Sequence, residues 1–383
     1  MSILRKALKA VFPLLFLKRL FLVYNSYKTK TIDRIFFKEN FIPKEDFTDK
    51  QIKNPFLELG IQASLLKDEI QAKFSIWNDP KWTQDQYLLF YRKPGFLEPR
   101  VGWALSLSKE LVYPSLGFSS APHVHKPDFF ETYFKKEKVI VLQRIISLRD
   151  TGEENYFHFF NDVLSKLFYL RDHGIVLSEY KIVVSERLYK KPYFQFFLKS
   201  HFLHELHWHV QKDEWIKFDE AIFCKPYTHT RKYFDLTLAL THASTEDASR
   251  DRRIFITRPI NSLRFVENFK DIEPILLKFN FEIIDTSEMA MEDQISLFRG
   301  CRYLVAIHGA GITNIIFRNG KPLSLLEIFQ PNPYAPFHYI MLSKLFNYKY
   351  DAMLGRKGKL AGSGGFIINP ADLESKILAM VGH

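Results

Sequence analysis

A glycine-containing turn that begins at His308 carries the clearest chemical signal in this sequence. The apolar run 303–307 has the character of a short buried strand, and it leads directly into His-Gly-Ala-Gly. Glycine has no Cβ, so the backbone of such a turn can approach a ligand closely. We expect a helix to open at Thr313 and Asn314, where free N–H groups and the helix dipole attract an anion. The spacing predicts a phosphate cradle, and a turn that needs glycine only for steric reasons is the alternative.

Strands and helices are predicted to alternate on both sides of this turn. Residues 253–257, 281–284 and 323–329 have the pattern of short strands. Segments 271–279 and 292–299 carry apolar residues at helical spacing. Alternation of this kind is typical of a parallel, doubly wound α/β sheet.

Four polar side chains follow or lie within these strands, namely Arg258, Arg264, His308 and Glu327. Ligands of doubly wound sheets bind beyond the carboxyl ends of the strands. We therefore expect the four residues to lie near one crevice. The cationic side chains there suit a diphosphate, and the carboxylate of Glu327 suits the hydroxyl groups of a ribose.

A second candidate site lies in the first half of the chain, at His158 and Asp162. The two residues are four positions apart, so on a helix they share a face and can form a hydrogen bond. Asn155 is suited to cap that helix. A histidine oriented by a carboxylate can remove a proton from an attacking hydroxyl group. A core histidine held by Asp162 is the structural alternative; which of the two takes the proton is open, and Asp150 or Glu153 could also serve.

The two sites together resemble glycosyltransferase family 61. The carrying segments are 155–162 (Asn-Tyr-Phe-His-Phe-Phe-Asn-Asp), 253–258, 292–294 and 308–314 (His-Gly-Ala-Gly-Ile-Thr-Asn). The family includes plant xylan-decorating enzymes, animal O-linked N-acetylglucosaminyltransferases and bacterial capsule or lipopolysaccharide enzymes. The resemblance runs roughly from residue 139 to 346 and leaves the earlier residues unmatched. Ala290 stands where the family commonly has a serine.

The resemblance implies a GT-B type α/β fold, with two Rossmann-like domains facing a cleft. We expect a membrane-associating segment at 1–30, an acceptor-side domain at 31–235 and a nucleotide-sugar-binding domain at 236–383. The implied activity is inverting transfer of a sugar to a glycan or lipid-linked acceptor in surface polysaccharide biosynthesis. His158 and Asp162 are the catalytic candidates. The residues assigned to donor binding are Arg258, Arg264, His308, Gly309, Ala310, Gly311, Thr313, Asn314 and Glu327.

The donor is expected to be a nucleotide sugar, UDP-linked, bound with no metal ion. Many nucleotide-sugar enzymes hold Mg²⁺ or Mn²⁺ through Asp-X-Asp, and this sequence contains no such triplet. We therefore expect Arg258, Arg264 and the N–H groups of residues 309–313 to stabilise the leaving diphosphate.

Composition limits the other function classes. The formal net charge of +11 fits nucleic acid, an anionic membrane or an anionic ligand. Nucleic acid is disfavoured, because no zinc-finger, helix-turn-helix or RNA-recognition pattern is present. Cys224 and Cys301 each border an apolar run, so we expect buried free thiols and a reducing cytosol.

The first 30 residues favour contact with an anionic membrane surface. Basic residues alternate with Leu, Phe and Val, and Lys18 and Arg19 interrupt the apolar run before it reaches the ~20 residues of a membrane span. A basic segment lying in the headgroup region is the interpretation we prefer. It predicts a cytoplasmic protein bound peripherally to the inner membrane; a helix packed on its own domain is the alternative.

Two other functions remain open from the sequence. One is a catalytically silent nucleotide- or glycan-binding module recruited to the membrane, and the other is a sugar-nucleotide epimerase. The histidines at 201, 204, 207 and 209 form a dense group, but their spacing singles out no tetrahedral metal site. We interpret them as surface or domain-interface residues.

Overall fold

The computed structural model describes residues 39–41, 47–53, 68–74, 79, 81, 83–117, 126–127, 132, 138–241, 251–260, 262–332 and 335–382. These residues form two compact units. The N-terminal unit contains the described parts of Phe21–Ile52 and Gln84–Thr241. The C-terminal unit contains those of Lys53–Thr83 and His242–His383. Each unit has its own sheets and core, so the fold is mixed α/β as predicted.

The N-terminal unit is built on one sheet whose central strand is unusually long. The described strands are β1 (Glu39–Phe41), β2 (Phe47–Lys53), β3 (Thr83–Tyr91), β4 (Gly95–Leu97), β5 (Ala104–Ser106), β6 (Leu111–Tyr113), β7 (Val139–Ser147), β8 (Lys181–Ser185), β9 (Trp208–Gln211) and β10 (Trp215–Lys225). Their order is β1-β6-β5-β4-β10-β7-β8-β9, and β3 pairs with both β10 and β2. Strands β10, β7, β8 and β9 run parallel, whereas β3 and β4 are antiparallel to β10.

Helices cover the parallel part of this sheet. After α1 (Asp68–Phe74), which belongs to the C-terminal unit, come α2 (Tyr156–His158), a π-helical turn (Phe159–Leu164), α3 (Ser165–Asp172), α4 (Glu186–Tyr189), α5 (Pro192–Leu198), α6 (His201–His204) and α7 (Arg231–Ala239). Helices α5 and α6 are separate, because Ser200 adopts an extended conformation between them.

The C-terminal unit contains the predicted parallel sheet. Its strands are β11 (Arg252–Ile256), β12 (Phe265–Val266), β13 (Glu282–Ile284), β14 (Cys301–Ile307), β15 (Ser324–Phe329), β16 (Lys349–Leu354), β17 (Arg356–Lys357) and β18 (Gly365–Ile367). The main sheet has the order β13-β11-β14-β15-β16, and every pair in it is parallel. Strands β12, β18 and β17 form a separate small sheet.

The helices of this unit are α8 (Phe269–Lys278), α9 (Met291–Arg299), a 3₁₀ helix (Ala310–Arg318), α10 (His338–Leu345) and α11 (Pro370–Val381). The helix after the glycine turn differs from the prediction. It opens at Ala310 instead of Thr313, and its hydrogen bonds are of the tighter i→i+3 kind.

The core of the C-terminal unit lies between the parallel sheet and helices α8 and α11. Phe255, Val305 and Leu326 from neighbouring strands pack with Leu276 of α8 and Ile377 of α11. Burial of this apolar surface stabilises the arrangement that brings the carboxyl ends of the strands to one edge.

Both cysteines are buried free thiols, as predicted. Cys224 lies in β10, in the core of the N-terminal unit, and Cys301 is the first residue of β14. Burial raises the pKa of each thiol to about 12. Neither thiol is therefore ionised near neutral pH.

The expected membrane-associating segment at 1–30 lies outside the described residues. Within the ranges given above, no helix combines the length and the apolar character that a bilayer crossing requires.

Helix α8 offers a matched test of this packing. Leu276 has 0% of its surface exposed and its neighbour Leu277 has 57%. We expect Leu276→Ala to lower the free energy of unfolding by about 2–5 kcal/mol, because it leaves a cavity in the core. Leu277→Ala should change it by less than about 0.5 kcal/mol. Urea unfolding of the full chain measures both, and equal losses would contradict the orientation of the helix.

Candidate functional site

Three loops of the C-terminal unit leave the same edge of the parallel sheet. They follow β13, β11 and β14, which are adjacent and parallel. Arg258 lies two residues beyond the end of β11, and His308 directly follows β14. The topology therefore brings together the arginine and the glycine turn that the sequence singled out.

Arg258 packs directly over the glycine turn. A Cβ built on Gly309 would lie 1.8 Å from Nη2 of Arg258. Gly309 has a φ of 161°, which is extended backbone, so space and not strain requires glycine here. The position admits no side chain while the guanidinium occupies its place.

The side chain of Arg258 is half-buried and makes no hydrogen bond with the described residues. Its Nε is buried and has no hydrogen-bond partner among the described residues. Burial, and then the charge of Arg264, lower the pKa of Arg258. Arginine nevertheless stays protonated in proteins. A half-buried cation that no carboxylate contacts directly loses part of its hydration without a compensating partner, so this site is suited to an anionic ligand.

Arg264 is tied to the same turn. Its Nη1 donates to the carbonyl oxygen of His308 at 2.5 Å. The N–H of His308 donates to the carbonyl oxygen of Ile328 in β15 at 2.8 Å. Arg264 is thereby tied to the start of the turn, over which Arg258 also packs.

The 3₁₀ helix leaves backbone donors at its start. Its first internal bond runs from the N–H of Ile312 to the carbonyl oxygen of Gly309, at 3.0 Å. The N–H groups of Ala310 and Gly311 precede that bond and have no acceptor within the helix. The donors predicted over residues 309–313 are therefore reduced to those at the beginning of the turn.

Glu327 lies in the site but does not face a ligand. It is 0% exposed, and its Oε1 lies 2.5 Å from Nδ1 of His308. Its Oε2 accepts from the hydroxyl of Tyr350 at 2.6 Å. Both carboxylate oxygens are thus engaged within the protein, so the expected contact with ribose is corrected to a role in orienting His308.

Thr313 and Asn314 support the turn from inside. Both side chains are fully buried. Nδ2 of Asn314 donates to Oε1 of Gln294 in α9 at 2.9 Å. Oγ1 of Thr313 is buried and has no hydrogen-bond partner among the described residues. Asn314 thus ties the 3₁₀ helix to α9, and the donor contacts expected of Thr313 and Asn314 stay predictions.

The second site, in the N-terminal unit, contains His158 and Asp162 as predicted. Asn155 caps the helix through its side chain, which accepts from the N–H of Phe157 at 2.9 Å. Nδ1 of His158 lies 2.5 Å from Oδ2 of Asp162. The side chain of His158 is 32% exposed and that of Asp162 only 8%. The imidazole is the member of the pair that a substrate can reach.

The surroundings favour a protonated His158. Burial alone lowers the pKa of His158, but the hydrogen bond to Asp162 and the charges of Asp162 and Asp150 outweigh it and raise the pKa above its ordinary value. The imidazole therefore holds its proton more tightly than a histidine in water.

Two residues that the sequence did not single out complete this site. Nδ2 of Asn161 donates to Oδ1 of Asp162 at 2.8 Å, and Oδ1 of Asn161 accepts from the N–H of His229 at 2.8 Å. His229 has a left-handed backbone with a φ of 55°. Burial lowers the pKa of His229 to about 4, so it is neutral near pH 7. Asn161 was visible within the segment 155–162, whereas nothing in the sequence signals the backbone of His229.

Asp150 and Glu153 are not available as alternative bases. Both are buried. Oδ2 of Asp150 pairs with Nζ of Lys166 at 2.9 Å, and Oε1 of Glu153 pairs with Nε of Arg149 at 3.1 Å. These contacts form a buried charge cluster beneath the site, which corrects the expectation that either carboxylate could take the proton.

The histidine group at 201–209 has a different environment. His201, His204 and His207 are exposed. Within the described parts of the chain, no three His, Cys, Asp or Glu residues are placed to hold a metal ion. The group is a surface feature of α6 and β9.

Comparison with known protein families matches residues 156–323 to the family described as Glycosyltransferase 61. The match begins at Tyr156, in the helix that carries His158, and ends just before β15. It includes both candidate sites except Glu327. Comparison with curated proteins finds no match.

The close approach of Arg258 to Gly309 can be tested directly. Gly309→Ala should displace the guanidinium and weaken binding of a nucleoside diphosphate by about 1.5–3 kcal/mol, the worth of a hydrogen bond to a charged group. Gly362→Ala is the control, because a Cβ there meets nothing within 4 Å. Isothermal titration with UDP compares them, and equal affinities would show that the turn does not contact the ligand.

Proposed function

We propose that the chain is an inverting glycosyltransferase that uses a nucleotide-sugar donor, since its residues 156–323 match the family described as Glycosyltransferase 61. The unpaired guanidinium of Arg258 over the glycine turn is the observation that carries this proposal. The acceptor is a glycan or a lipid-linked sugar. The fold proposed for the chain is of GT-B type.

The C-terminal unit binds the diphosphate of the donor in this proposal. Arg264 and the first N–H groups of the 3₁₀ helix are held in place before the ligand arrives, and Arg258 packs over the same turn. Donors that are already oriented stabilise charge as it develops on a leaving group without further reorganisation. They carry out the task that a metal ion performs in other enzymes, so no metal is included. The donor is UDP-linked.

The N-terminal unit supplies the base. Nδ1 of His158 contacts Asp162, so Nε2 is the nitrogen that accepts the proton of the acceptor hydroxyl. As that oxygen attacks the anomeric carbon, the bond from this carbon to the diphosphate oxygen breaks, and the electron pair leaves with the diphosphate. A single displacement of this kind inverts the anomeric centre. Asp162 stabilises the imidazolium that results.

The setting proposed is bacterial surface polysaccharide synthesis, for capsule or lipopolysaccharide. The net charge of +11 and the basic residues of the segment 1–30 support peripheral binding to the anionic inner leaflet. The enzyme would then act from the cytoplasm on a lipid-linked acceptor.

Nucleotide binding by Arg258 is the first test of this proposal. Thermal unfolding is followed with UDP, GDP, CMP and TDP, each with and without EDTA. A ligand at about 100 times its dissociation constant adds ~2.7 kcal/mol of stability, which shifts the midpoint by a few degrees. We expect a shift with UDP that EDTA leaves unchanged and that Arg258→Ala abolishes.

The matched control is Arg302→Ala, since Arg302 lies near the start of β14, at the opposite end of this strand from the glycine turn. Arg258→Ala should lose about 3–4 kcal/mol of transition-state stabilisation, and its turnover should fall accordingly. If no nucleotide shifts the midpoint, the silent-module alternative replaces the proposal.

The pH dependence of turnover tests His158 as the base. A base must be deprotonated, and the pKa of His158 is raised above 6.5. The rate should therefore fall with decreasing pH in a limb that lies above pH 6.5. Asp162→Asn removes the principal contacts that raise this pKa, so its limb should move to lower pH.

His158→Ala should lower kcat by about 10²–10⁴. His201→Ala is the control, because His201 is exposed on the surface. If the pH dependence of the rate is the same in Asp162→Asn, the group that titrates is not His158.

A further inference from the structure

The loop after β13 places a carboxylate beside the proposed diphosphate site. β13 is the parallel neighbour of β11, and the N–H of Thr257 donates to the carbonyl oxygen of Ile284 at 2.9 Å. Asp285 is the next residue after this strand. Asp285 therefore lies at the carboxyl ends of the strands, as do Arg258 and the glycine turn.

This loop also contacts the turn. A Cβ built on Gly311 would lie 3.3 Å from Oγ1 of Thr286, which is buried. Asp285 thus immediately precedes a residue that contacts the glycine turn, the proposed diphosphate site. Its charge acts on Arg258, where it raises the pKa against the effect of burial.

Asp285 is fixed in place and keeps one oxygen available. Its Oδ1 accepts from the N–H of Ser287 at 3.0 Å and from the hydroxyl of Ser287 at 2.7 Å. Its Oδ2 has no partner among the residues that the structure describes. The side chain is exposed, so this oxygen can accept from a ligand hydroxyl.

The strand order indicates which part of the donor would lie near Oδ2 of Asp285. The glycine turn follows β14, Arg258 follows β11, and Asp285 follows β13 at the edge of the sheet. Neighbouring strands lie about 4.8 Å apart, so Asp285 is two strand spacings from the turn that binds phosphate. A ribose is the next group of a nucleoside diphosphate beyond its phosphates. In dinucleotide-binding βαβ units an acidic residue after the second strand binds a ribose hydroxyl. Here β11, α8 and β13 form a βαβ unit in which Arg258 follows the first strand and Asp285 the second, while the glycine turn follows the adjacent β14.

We propose that Asp285 accepts hydrogen bonds from the ribose hydroxyls of the donor nucleotide. The inference rests on the proposed function, and it moves the ribose contact from Glu327 to the loop after β13. It also predicts discrimination against deoxyribose, since a hydroxyl that is absent leaves the carboxylate without its donor.

The test compares ribose and deoxyribose nucleotides on the full chain. Dissociation constants for UDP and 2′-deoxy-UDP, and for GDP and 2′-deoxy-GDP, are measured by isothermal titration. We expect the unmodified protein to prefer a ribose form by about 10- to 100-fold, the range for a hydrogen bond to a charged group. Asp285→Ala should reduce this ratio to about 1 by weakening only the ribose form.

Two variants serve as controls. Glu288→Ala removes an exposed carboxylate three residues further on and should keep the full ratio. Glu327→Gln changes the carboxylate behind His308, and it should weaken both forms equally.

The outcomes separate this inference from the proposed function. Binding of UDP with an unchanged ratio in Asp285→Ala overturns the inference alone. Loss of the ratio in Glu327→Gln instead would return the ribose contact to Glu327. If the unmodified protein binds none of the four nucleotides, the proposed function fails and the inference fails with it.

Discussion

The contact between the Arg258 guanidinium and the backbone at Gly309 is the constraint on which the candidate donor site depends. A Cβ at Gly309 would overlap Nη2 of Arg258, so the guanidinium can take this position over the turn only when residue 309 is glycine. The parallel order of β11 and β14 is what brings the two together. An anion therefore meets a charge that is already partly desolvated, where electrostatic attraction is stronger than in water.

Two buried ion pairs constrain the loop before the His158 helix in the N-terminal unit. Arg149 with Glu153, and Lys166 with Asp150, are enclosed beneath the helix that carries His158. Burying four charges is costly unless each is paired, so these contacts specify one arrangement of the loop before the helix. The negative charge of Asp150 extends to His158 and helps to raise its pKa. The cluster thus links the packing of this unit to the proton affinity of its exposed histidine.

Much of the C-terminal unit could be predicted, because its signals are local. Helix α11 runs over Pro370–Val381, where Asn369 provides a cap at its start, and the expected strands were found within a few residues. The full length of strand β10 is not visible in the sequence, since Lys217, Asp219 and Glu220 interrupt its apolar pattern. Contacts distant in sequence could not be predicted. Glu327 resembled a ligand-facing carboxylate, but its partners come from residues 308 and 350. The left-handed backbone of His229 has no sequence signature.

The two sites share one way of orienting a histidine. In each, Nδ1 contacts a buried carboxylate, and the second carboxylate oxygen accepts from another side chain: from Asn161 at Asp162, and from Tyr350 at Glu327. A carboxylate held at both oxygens cannot rotate, so it fixes the ring through Nδ1 and leaves Nε2 without this contact. The difference between the sites then lies in the neighbouring charges. Asp150 favours a proton on His158, whereas the backbone of His308 is bound by Arg264 beside a second arginine. The same imidazole geometry is thus suited to proton transfer in one unit and to an anionic ligand in the other.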